Sequence, residues 1–230
     1  MNAAHPLDRP VWHTLTGPQA PLARGGGAAW RIEPGYGPFA AARDQGDAAL
    51  AALGELVRAA AGAEVWLVET AAWTPPPGTR VARSAPLAQM VATMPAPLRA
   101  DDPGEPLDAG DAAAMAALAQ ATEPGPWGPL TRTYGQFYGV RAGAALVAMA
   151  GERMRPAPGL AEVSGVCTDP AWRGRGLAAA LIRRVMAGFV ARGDTPFLHS
   201  YAGNVAAIRL YESLGFSVRR EMVVTMLVAD

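Results

Sequence analysis

The feature that most constrains this chain is a turn rich in glycine and arginine between an apolar strand pattern and an amphipathic helix. Residues 160–168 are typical of a strand, and residues 174–192 carry apolar side chains at the period of a helix. The turn between them is Trp172-Arg173-Gly174-Arg175-Gly176. Because a helix with one apolar stripe must bury that stripe against another layer, this unit predicts a domain in which helices pack on a sheet.

The same turn predicts an anion site. Gly174 and Gly176 let the backbone approach a ligand closely, and the helix that follows offers free N–H groups and the positive end of its dipole. Arg173 and Arg175 add donors that match phosphate oxygens. These residues would also suit a solvated turn. A dinucleotide fingerprint fits less well because the third spaced glycine is missing.

Composition and charge exclude several other classes of protein. Half of the residues are hydrophobic and 17% are charged, which favours a folded chain. The chain has 20 basic and 20 acidic residues, and this neutrality disfavours a general nucleic-acid binder. All basic residues are arginine, which excludes a Walker A loop and a catalytic lysine. The single cysteine, Cys167, allows no internal disulfide and no cysteine-cluster metal site.

Targeting signals are not apparent in the sequence. The longest apolar run, about residues 142–150, is too short to span a bilayer. The first residues lack the basic and apolar segments of a secretory signal. We therefore expect a cytoplasmic protein with no membrane partner.

The pattern along the chain predicts two parts joined by a linker. Residues 1–46 are rich in glycine and proline and are expected to be irregular. The elements expected after them are a helix at 47–61, a strand at 64–69 and a short helix at 87–94. Asp101-Asp102-Pro103-Gly104 predicts the linker, so we expect an extra N-terminal α/β domain over residues 1–100 and a second domain over residues 105–230.

The second part has the more regular pattern. Its expected elements are a helix at 108–122, hairpin strands at 136–141 and 144–153, a strand at 160–168, a helix at 174–192, a strand at 197–200, a helix at 204–214 and strand structure over 216–228. This order predicts an α/β fold with a central mixed, mostly antiparallel sheet flanked by helices.

A second candidate site segment runs from Asn204 to Gly215-Phe216. Asn204 suits the N-cap of the predicted helix, and Tyr211 lies two helical turns further on, on the same face. Taken alone, each residue has a structural explanation, as a helix cap and as an aromatic residue at the edge of the core.

Together the two segments resemble the GNAT superfamily of acyl-CoA-dependent N-acyltransferases. The superfamily pattern is Arg or Gln, two residues, Gly, one residue, then Gly or Ala, and Arg173, Gly176 and Ala178 match it. The resemblance covers about residues 105–230 and implies the GNAT fold for them. Residues 1–100 are similar to the leading half of glycine N-acyltransferase relatives, through Pro38-Phe39-Ala40-Ala41, Val65-Trp66-Leu67-Val68 and Leu87-Ala88-Gln89-Met90-Val91.

The resemblance implies that acetyl-CoA is the co-substrate and that no metal takes part. The implied binding residues are Arg173, Gly174, Arg175, Gly176, Leu177 and Ala178 at the pyrophosphate, the main chain of Val166 and Thr168 along the pantetheine arm, and Asn204. It also implies that Tyr211 protonates the departing thiolate as a general acid, or only hydrogen-bonds the sulfur.

The candidate general base is Glu162, because the amine acceptor must lose a proton. Glu162 is even-spaced from Val166 and Thr168, so we expect all three side chains on one face of the strand. Burial would raise the pKa of Glu162 into a useful range. Two alternatives stay open, namely that Glu162 only faces solvent or pairs with an arginine, and that His199 on the next strand is the base.

The expected function is acetyl-CoA-dependent N-acetylation of a small-molecule amine or an amino acid, by direct attack in a ternary complex. One alternative is a peptide or protein N-terminal acetyltransferase, and another is a CoA-binding module without chemistry. The resemblance also raises a homodimer as an expected assembly, and no nucleic-acid partner is expected.

Overall fold

The computed structural model describes residues 5–230 of the chain. The helices of this part are α1 (Pro10–Thr16), α2 (Asp47–Arg58), α3 (Ala112–Thr122), α4 (Leu177–Ala191) and α5 (Val205–Ser213). The strands are β1 (Ala23–Gly26), β2 (Ala29–Ile32), β3 (Ala40–Ala42), β4 (Val65–Glu69), β5 (Thr79–Ala92), β6 (Glu105–Leu107), β7 (Phe137–Ala142), β8 (Ala145–Glu152), β9 (Leu160–Thr168), β10 (Thr195–Tyr201) and β11 (Phe216–Ala229).

Within residues 5–230, eight of the strands form one sheet in the order β4-β11-β5-β10-β9-β8-β7-β6. The neighbours β9 and β10 are parallel, and the other neighbouring pairs are antiparallel. The strands β1, β2 and β3 form a small antiparallel sheet that meets β4 through a bridge between Phe39 and Trp66. The predicted mixed, mostly antiparallel sheet flanked by helices is confirmed.

The main sheet is covered on both faces. Phe197 packs in a cluster with side chains of α1, whereas Leu198, the next residue of β10, packs in a cluster with side chains of α4. Because successive strand residues point to opposite faces, we call these the α1 face and the α4 face. Each large side chain that α4 buries contributes on the order of 2 kcal/mol, and its buried stripe includes Leu181, Ile182, Val185, Met186 and Phe189. The apolar stripe predicted for this helix is thus the one that holds it on the sheet.

Two elements differ from the sequence predictions. Residues 87–92, expected to begin a short helix, belong to β5, which pairs with β10 on one edge and with β11 on the other. This pairing overrides the weak local helical pattern. Residues 1–46, expected to be irregular, contain α1 and the small sheet of β1 to β3. Short strands separated by glycine turns have little periodicity to detect.

The predicted division into a domain at 1–100 and a domain at 105–230 requires correction. Strands β4 and β5 come from the first part, yet they pair with β10 and β11 of the second part in one sheet. The linker itself is attached to the fold, because the carboxylate of Asp102 forms a buried ion pair with Arg183 of α4. The N-terminal part therefore completes the sheet instead of forming a separate domain.

Candidate active site

The two parallel strands of the sheet separate along their length. β9 pairs with β10 only over Leu160–Glu162, which lies opposite Thr195–Phe197. Beyond these pairs, residues 163–168 of β9 and 198–201 of β10 face each other without pairing between them. The opening is part of a cleft of about 660 Å³ that is lined by residues of both faces of the sheet. The strand edges in it can pair with an extended ligand, as expected for Val166 and Thr168.

A β-bulge at Gly165 shapes this opening. The register between β8 and β9 shifts between Met149 and Gly151, and Gly165 adopts a left-handed backbone with φ of +61°. A Cβ atom added at Gly165 would lie 2.8 Å from the ring of Phe137. Both the backbone conformation and the lack of space therefore require glycine at this position.

The bulge overturns the predicted alignment of Glu162 with Val166 and Thr168. Ala161 and Val163 pack in the α4-face cluster, so Glu162 between them points to the α1 face. Val166 packs against the α4-face cluster. Because the bulge inserts one extra residue, even spacing in the sequence does not place Glu162 and Val166 on the same face.

The turn before α4 has the form of an anion site. Gly174 and Gly176 have φ of +76° and +75°, and a Cβ atom on either would meet nothing within 4 Å. Glycine is thus required by the backbone conformation, and the space in front of the turn is open. Gly176 provides no side-chain cap to α4, so the first N–H groups of that helix stay available. A second pocket of about 280 Å³ at this turn is lined by Gly176, Leu177 and Ala178. A pyrophosphate, and with it acetyl-CoA, fits these donors.

The two arginines of the turn differ in their surroundings. Arg173 lines both pockets, and its Nε donates to the carbonyl oxygen of Thr168 at 3.3 Å. The guanidinium of Arg175 lies 4.4 Å from the ring centroid of Trp172 and lines neither pocket. Of the two side chains, Arg173 is therefore the one in position to contact a ligand.

Asn204 and Tyr211 line the cleft, Asn204 as the N-cap of α5 and Tyr211 from within that helix. The side-chain oxygen of Asn204 accepts a hydrogen bond from the N–H of Ala207 at 3.2 Å, as a helix cap does. The ring of Tyr211 packs edge-on against Phe216. Burial raises the pKa of Tyr211, so its phenol keeps its proton at neutral pH.

Glu162 is fully buried, and its carboxylate oxygens have four hydrogen-bond donors around them. Nε and NH2 of Arg153 each lie 2.8 Å from one of its oxygens, Nδ1 of His199 lies at 2.8 Å, and the N–H of Met154 at 3.3 Å. Burial alone would raise the pKa of Glu162, but the Arg153 guanidinium beside it lowers that pKa to about 2. The predicted rise in the pKa of Glu162 is wrong, because Glu162 pairs with Arg153.

These contacts do not fit the predicted role of Glu162 as general base. A carboxylate offers about four lone-pair positions, and here each has a donor from the protein. A base that works near neutrality also needs a pKa near the working pH. The arrangement suits a different role, in which Glu162 holds Arg153, whose side chain lines the cleft.

His199, the alternative base, is also held by the protein. Its side chain is 7% exposed, its Nδ1 contacts Glu162, and its Nε2 lies 3.0 Å from the side-chain nitrogen of Gln89. Both ring nitrogens thus have protein partners.

The α1-face side of the cleft is built from residues that the sequence did not reveal. Its lining includes Pro10, Val11, Phe39, Trp66, Val68, Leu87, Arg153 and Val224. The guanidinium of Arg153 lies 4.9 Å from the centroid of Phe39. The N-terminal likeness described above includes Phe39, Trp66, Val68 and Leu87, but apart from it the sequence carries no spacing signal for this wall. Ser200 and Tyr201 at the end of β10 line the same cleft.

Other chemistry has little support among residues 5–230. Burial raises the pKa of Cys167 to about 11, as expected for a packed and unreactive thiol. In this range no group of three or more His, Cys, Asp or Glu side chains is placed to hold a metal ion. No helix in it has the length and apolar character needed to cross a membrane.

Comparison with known proteins agrees with this architecture. The family model described as FR47-like protein matches residues 137–224, which include β9, α4, β10 and α5. The crystal structure of an acetyltransferase from the GNAT family of Novosphingobium aromaticivorans is 58% identical to this chain. That match covers 99% of this chain and 100% of the other, with a TM-score of 0.93.

Two curated relatives match part of the chain. N-alpha-acetyltransferase RimI of Mycobacterium tuberculosis is 36% identical over 99 residues, which are 40% of this chain and 61% of RimI. Mycothiol acetyltransferase of Mycobacterium avium is 46% identical over 68 residues, which are 26% of this chain and 22% of that protein. The likeness of residues 1–100 to glycine N-acyltransferase stays a prediction. Because the match to the Novosphingobium structure extends over nearly the whole of both chains in sequence and in fold, we conclude that the chain belongs to the GNAT family and is an N-acetyltransferase.

Proposed function

We propose that this protein transfers the acetyl group of acetyl-CoA to the primary amine of a small molecule or amino acid, by direct attack in a ternary complex. The observation that carries the proposal is the cleft between β9 and β10, which is lined from both faces of the sheet. The turn at Gly174 and Gly176 lies at its α4-face side, and the apolar wall around Phe39 and Trp66 lies at its α1-face side. Donor and acceptor can thus approach from opposite sides.

Acetyl-CoA would supply an activated thioester between these two sides. The N–H groups at the start of α4 and the side chain of Arg173 would hold its phosphates, and the free edge of β9 at Val166 and Thr168 would align its pantetheine arm. The amine nitrogen then forms a bond to the thioester carbonyl carbon while the carbon–sulfur bond breaks. Tyr211 donates its proton to the departing sulfur, a role that its buried, protonated phenol suits. The proton that the nitrogen loses on becoming an amide then restores the phenol of Tyr211.

The acceptor nitrogen must be unprotonated to attack. Since the oxygens of Glu162 and both nitrogens of His199 have protein partners, we infer that the amine enters the cleft in its neutral form. The value of kcat/KM for the acceptor is then expected to rise tenfold per pH unit below the pKa of that amine. An additional inflexion near pH 6.5, the ordinary histidine value, would contradict this inference.

The acceptor class follows from the wall on the α1 face. Residues of α1, β4 and the segment before β3 close this side of the cleft, which favours a compact acceptor over a long peptide. The match to RimI over 99 residues favours a second candidate, acetylation of the N-terminus of a peptide or protein. The two candidate functions differ in whether the acceptor must be a peptide that continues beyond its first residue.

The test is thiol release from acetyl-CoA with amino acids, polyamines, aminoglycosides and short peptides as acceptors. We expect release with a small amine or amino acid. Release with peptides alone would favour the second candidate. Binding of CoA by calorimetry without release for any acceptor would indicate a CoA-binding module without chemistry and would overturn the proposal. The homodimer stays a prediction, which light scattering can test.

A further inference from the structure

A row of polar side chains crosses four strands on the α1 face. It starts at Glu162 on β9, passes through His199 on β10 and Gln89 on β5, and reaches Arg219 on β11. Gln89 is fully buried at the centre of the row. Since a buried amide needs protein partners for its polar atoms, the contacts of Gln89 fix its orientation.

Two of these contacts identify the oxygen and the nitrogen of the Gln89 amide. NH1 of Arg219 lies 2.9 Å from Oε1, and a guanidinium can only donate. Nε2 of Gln89 lies 2.7 Å from the carbonyl oxygen of Leu7, which can only accept. The second N–H of the Gln89 amide is then available to its remaining neighbour, Nε2 of His199, at 3.0 Å.

This arrangement determines where His199 carries its proton. A ring nitrogen accepts a hydrogen bond only when it is unprotonated, so Nε2 has no proton and Nδ1 donates to Glu162. A doubly protonated ring would place two donors face to face at Nε2. Building on the acetyl transfer proposed above, we propose that Gln89 is a positioning residue: it holds His199 as the neutral Nδ1–H tautomer, which donates to Glu162 and does not act as the base.

A second β-bulge aims Arg219 at Gln89. The register between β11 and β5 shifts between Val218 and Arg220, and Arg219 is the extra residue. Its NH2 also donates to Asp8 at 2.8 Å, in the short helix that carries Leu7. The bulge and the N-terminal helix together therefore determine the orientation of Gln89.

The row has a consequence for the acceptor side. The charged groups around His199 are Glu162 on β9 with Arg153 behind it and, beyond Gln89, Arg219 and Asp8. With the donor of His199 fixed on one Glu162 oxygen, the carboxylate stays in the orientation that pairs it with Arg153. Arg153 in turn lines the cleft. Gln89 thus affects the acceptor wall without contacting it.

The first test uses nitrogen chemical shifts of the imidazole rings in the full-length protein labelled with ¹⁵N-histidine. The chain has 3 histidines, and loss of one signal set in His199→Gln assigns His199. At neutral pH we expect an unprotonated Nε2 and a protonated Nδ1. A protonated Nε2 would overturn the proposal.

The second test changes Gln89. In Gln89→Leu, Nε2 of His199 loses its donor, so the nitrogen chemical shifts of its ring are expected to differ from those of wild type. The value of kcat/KM for the amine should fall about five- to tenfold, the effect of one lost hydrogen bond, with an unchanged KM for acetyl-CoA. Gln136→Leu is the matched control, because the Gln136 side chain donates to Leu107 and Phe137 outside the cleft. It should leave the His199 shifts unchanged.

Gln89→Glu covers the case in which the leucine variant fails to fold. Its carboxylate can only accept a hydrogen bond, so Nε2 of His199 is expected to carry a proton in this variant, unlike in wild type. Wild-type shifts retained in the folded Gln89 variants would overturn the role of Gln89. Because the shifts do not depend on turnover, a complete lack of acetyl transfer would overturn the proposed function alone.

Discussion

The two sides of the cleft are built in different ways. On the α4 face, the proposed donor site consists mainly of backbone: the glycine turn at 174–176, the uncapped start of α4 and the free edge of β9. On the α1 face, the wall and the polar row consist of side chains from separate parts of the chain, such as Phe39, Gln89 and Arg153. A site made of backbone leaves a local signature in the sequence, whereas a site made of distant side chains does not.

The largest effect is expected at the backbone site, from Gly176→Glu. The substitution places a side chain where φ is +75°, which costs about 1–2 kcal/mol, and puts a negative charge beside the phosphates. We expect calorimetry to detect no CoA binding. Gly27→Glu is the control, since Gly27 also has a positive φ with nothing within 4 Å of its added Cβ, in a turn away from the cleft. Retained CoA binding in Gly176→Glu would contradict the pyrophosphate site.

Tyr211→Phe tests the chemistry between the two sides. Loss of the phenol proton should reduce kcat by about 10²-fold, the lower end of the range for a general acid. The affinity for acetyl-CoA should change little, because the ring and its packing on Phe216 remain. Tyr138→Phe on β7 removes a hydroxyl outside the cleft and should leave kcat unchanged. Equal turnover in Tyr211→Phe and wild type would remove the acid assignment.

Glu162→Gln tests the side-chain network of the α1 face. The substitution leaves Arg153 as a buried charge without its partner, which should lower the free energy of unfolding by about 3 kcal/mol. Urea unfolding at neutral pH measures this change. Asp44→Asn is the control, because it breaks an exposed ion pair with Arg43. We expect no measurable change in its free energy of unfolding. If the two variants lost similar amounts of unfolding free energy, the buried ion pair would stabilise the protein no more than the exposed one.

The same pair should give the protein a dependence on acid. The pKa of Glu162 falls from 4.5 to about 2 on folding, so the unfolded chain binds this proton more readily. Its stabilisation is therefore complete above about pH 4.5 and is lost as the pH falls towards 2. Glu162→Gln should lose less stability than wild type between neutral pH and about pH 3. Equal losses of stability in wild type and Glu162→Gln over this pH range would contradict the lowered pKa of Glu162.

The smallest effect is expected from Arg175→Ala at the turn. Its guanidinium stacks on Trp172 and lines neither pocket, and an exposed contact of this kind contributes about 0.5–1 kcal/mol. We expect the CoA affinity to change by less than about fivefold, measured by the same calorimetry. A loss comparable to that in Gly176→Glu would show that side chains, and not the backbone, dominate the donor site.

Local sequence patterns predicted much of the α4 face. The apolar stripe of α4, the glycine turn and the cap at Asn204 all depend on neighbours within a few residues. The β5 segment was predicted less well, because residues 87–92 form a strand only through pairing with β10 and β11. The same pairing joined the two predicted domains into one sheet.

Local sequence patterns were enough to predict the mixed, mostly antiparallel fold, the glycine turn before α4 and the position of Tyr211 on its helix, since helical period and glycine conformation are local properties. The surroundings of Glu162 and His199, in contrast, depend on how the whole sheet is assembled. The bulge at Gly165 turned Glu162 to the α1 face, where Arg153 lowers its pKa. The pairing of β5 with β10 brought Gln89 to His199, 110 positions away in the chain. Electrostatics and hydrogen bonding depend on such distances in space, and these are set only when the sheet is assembled.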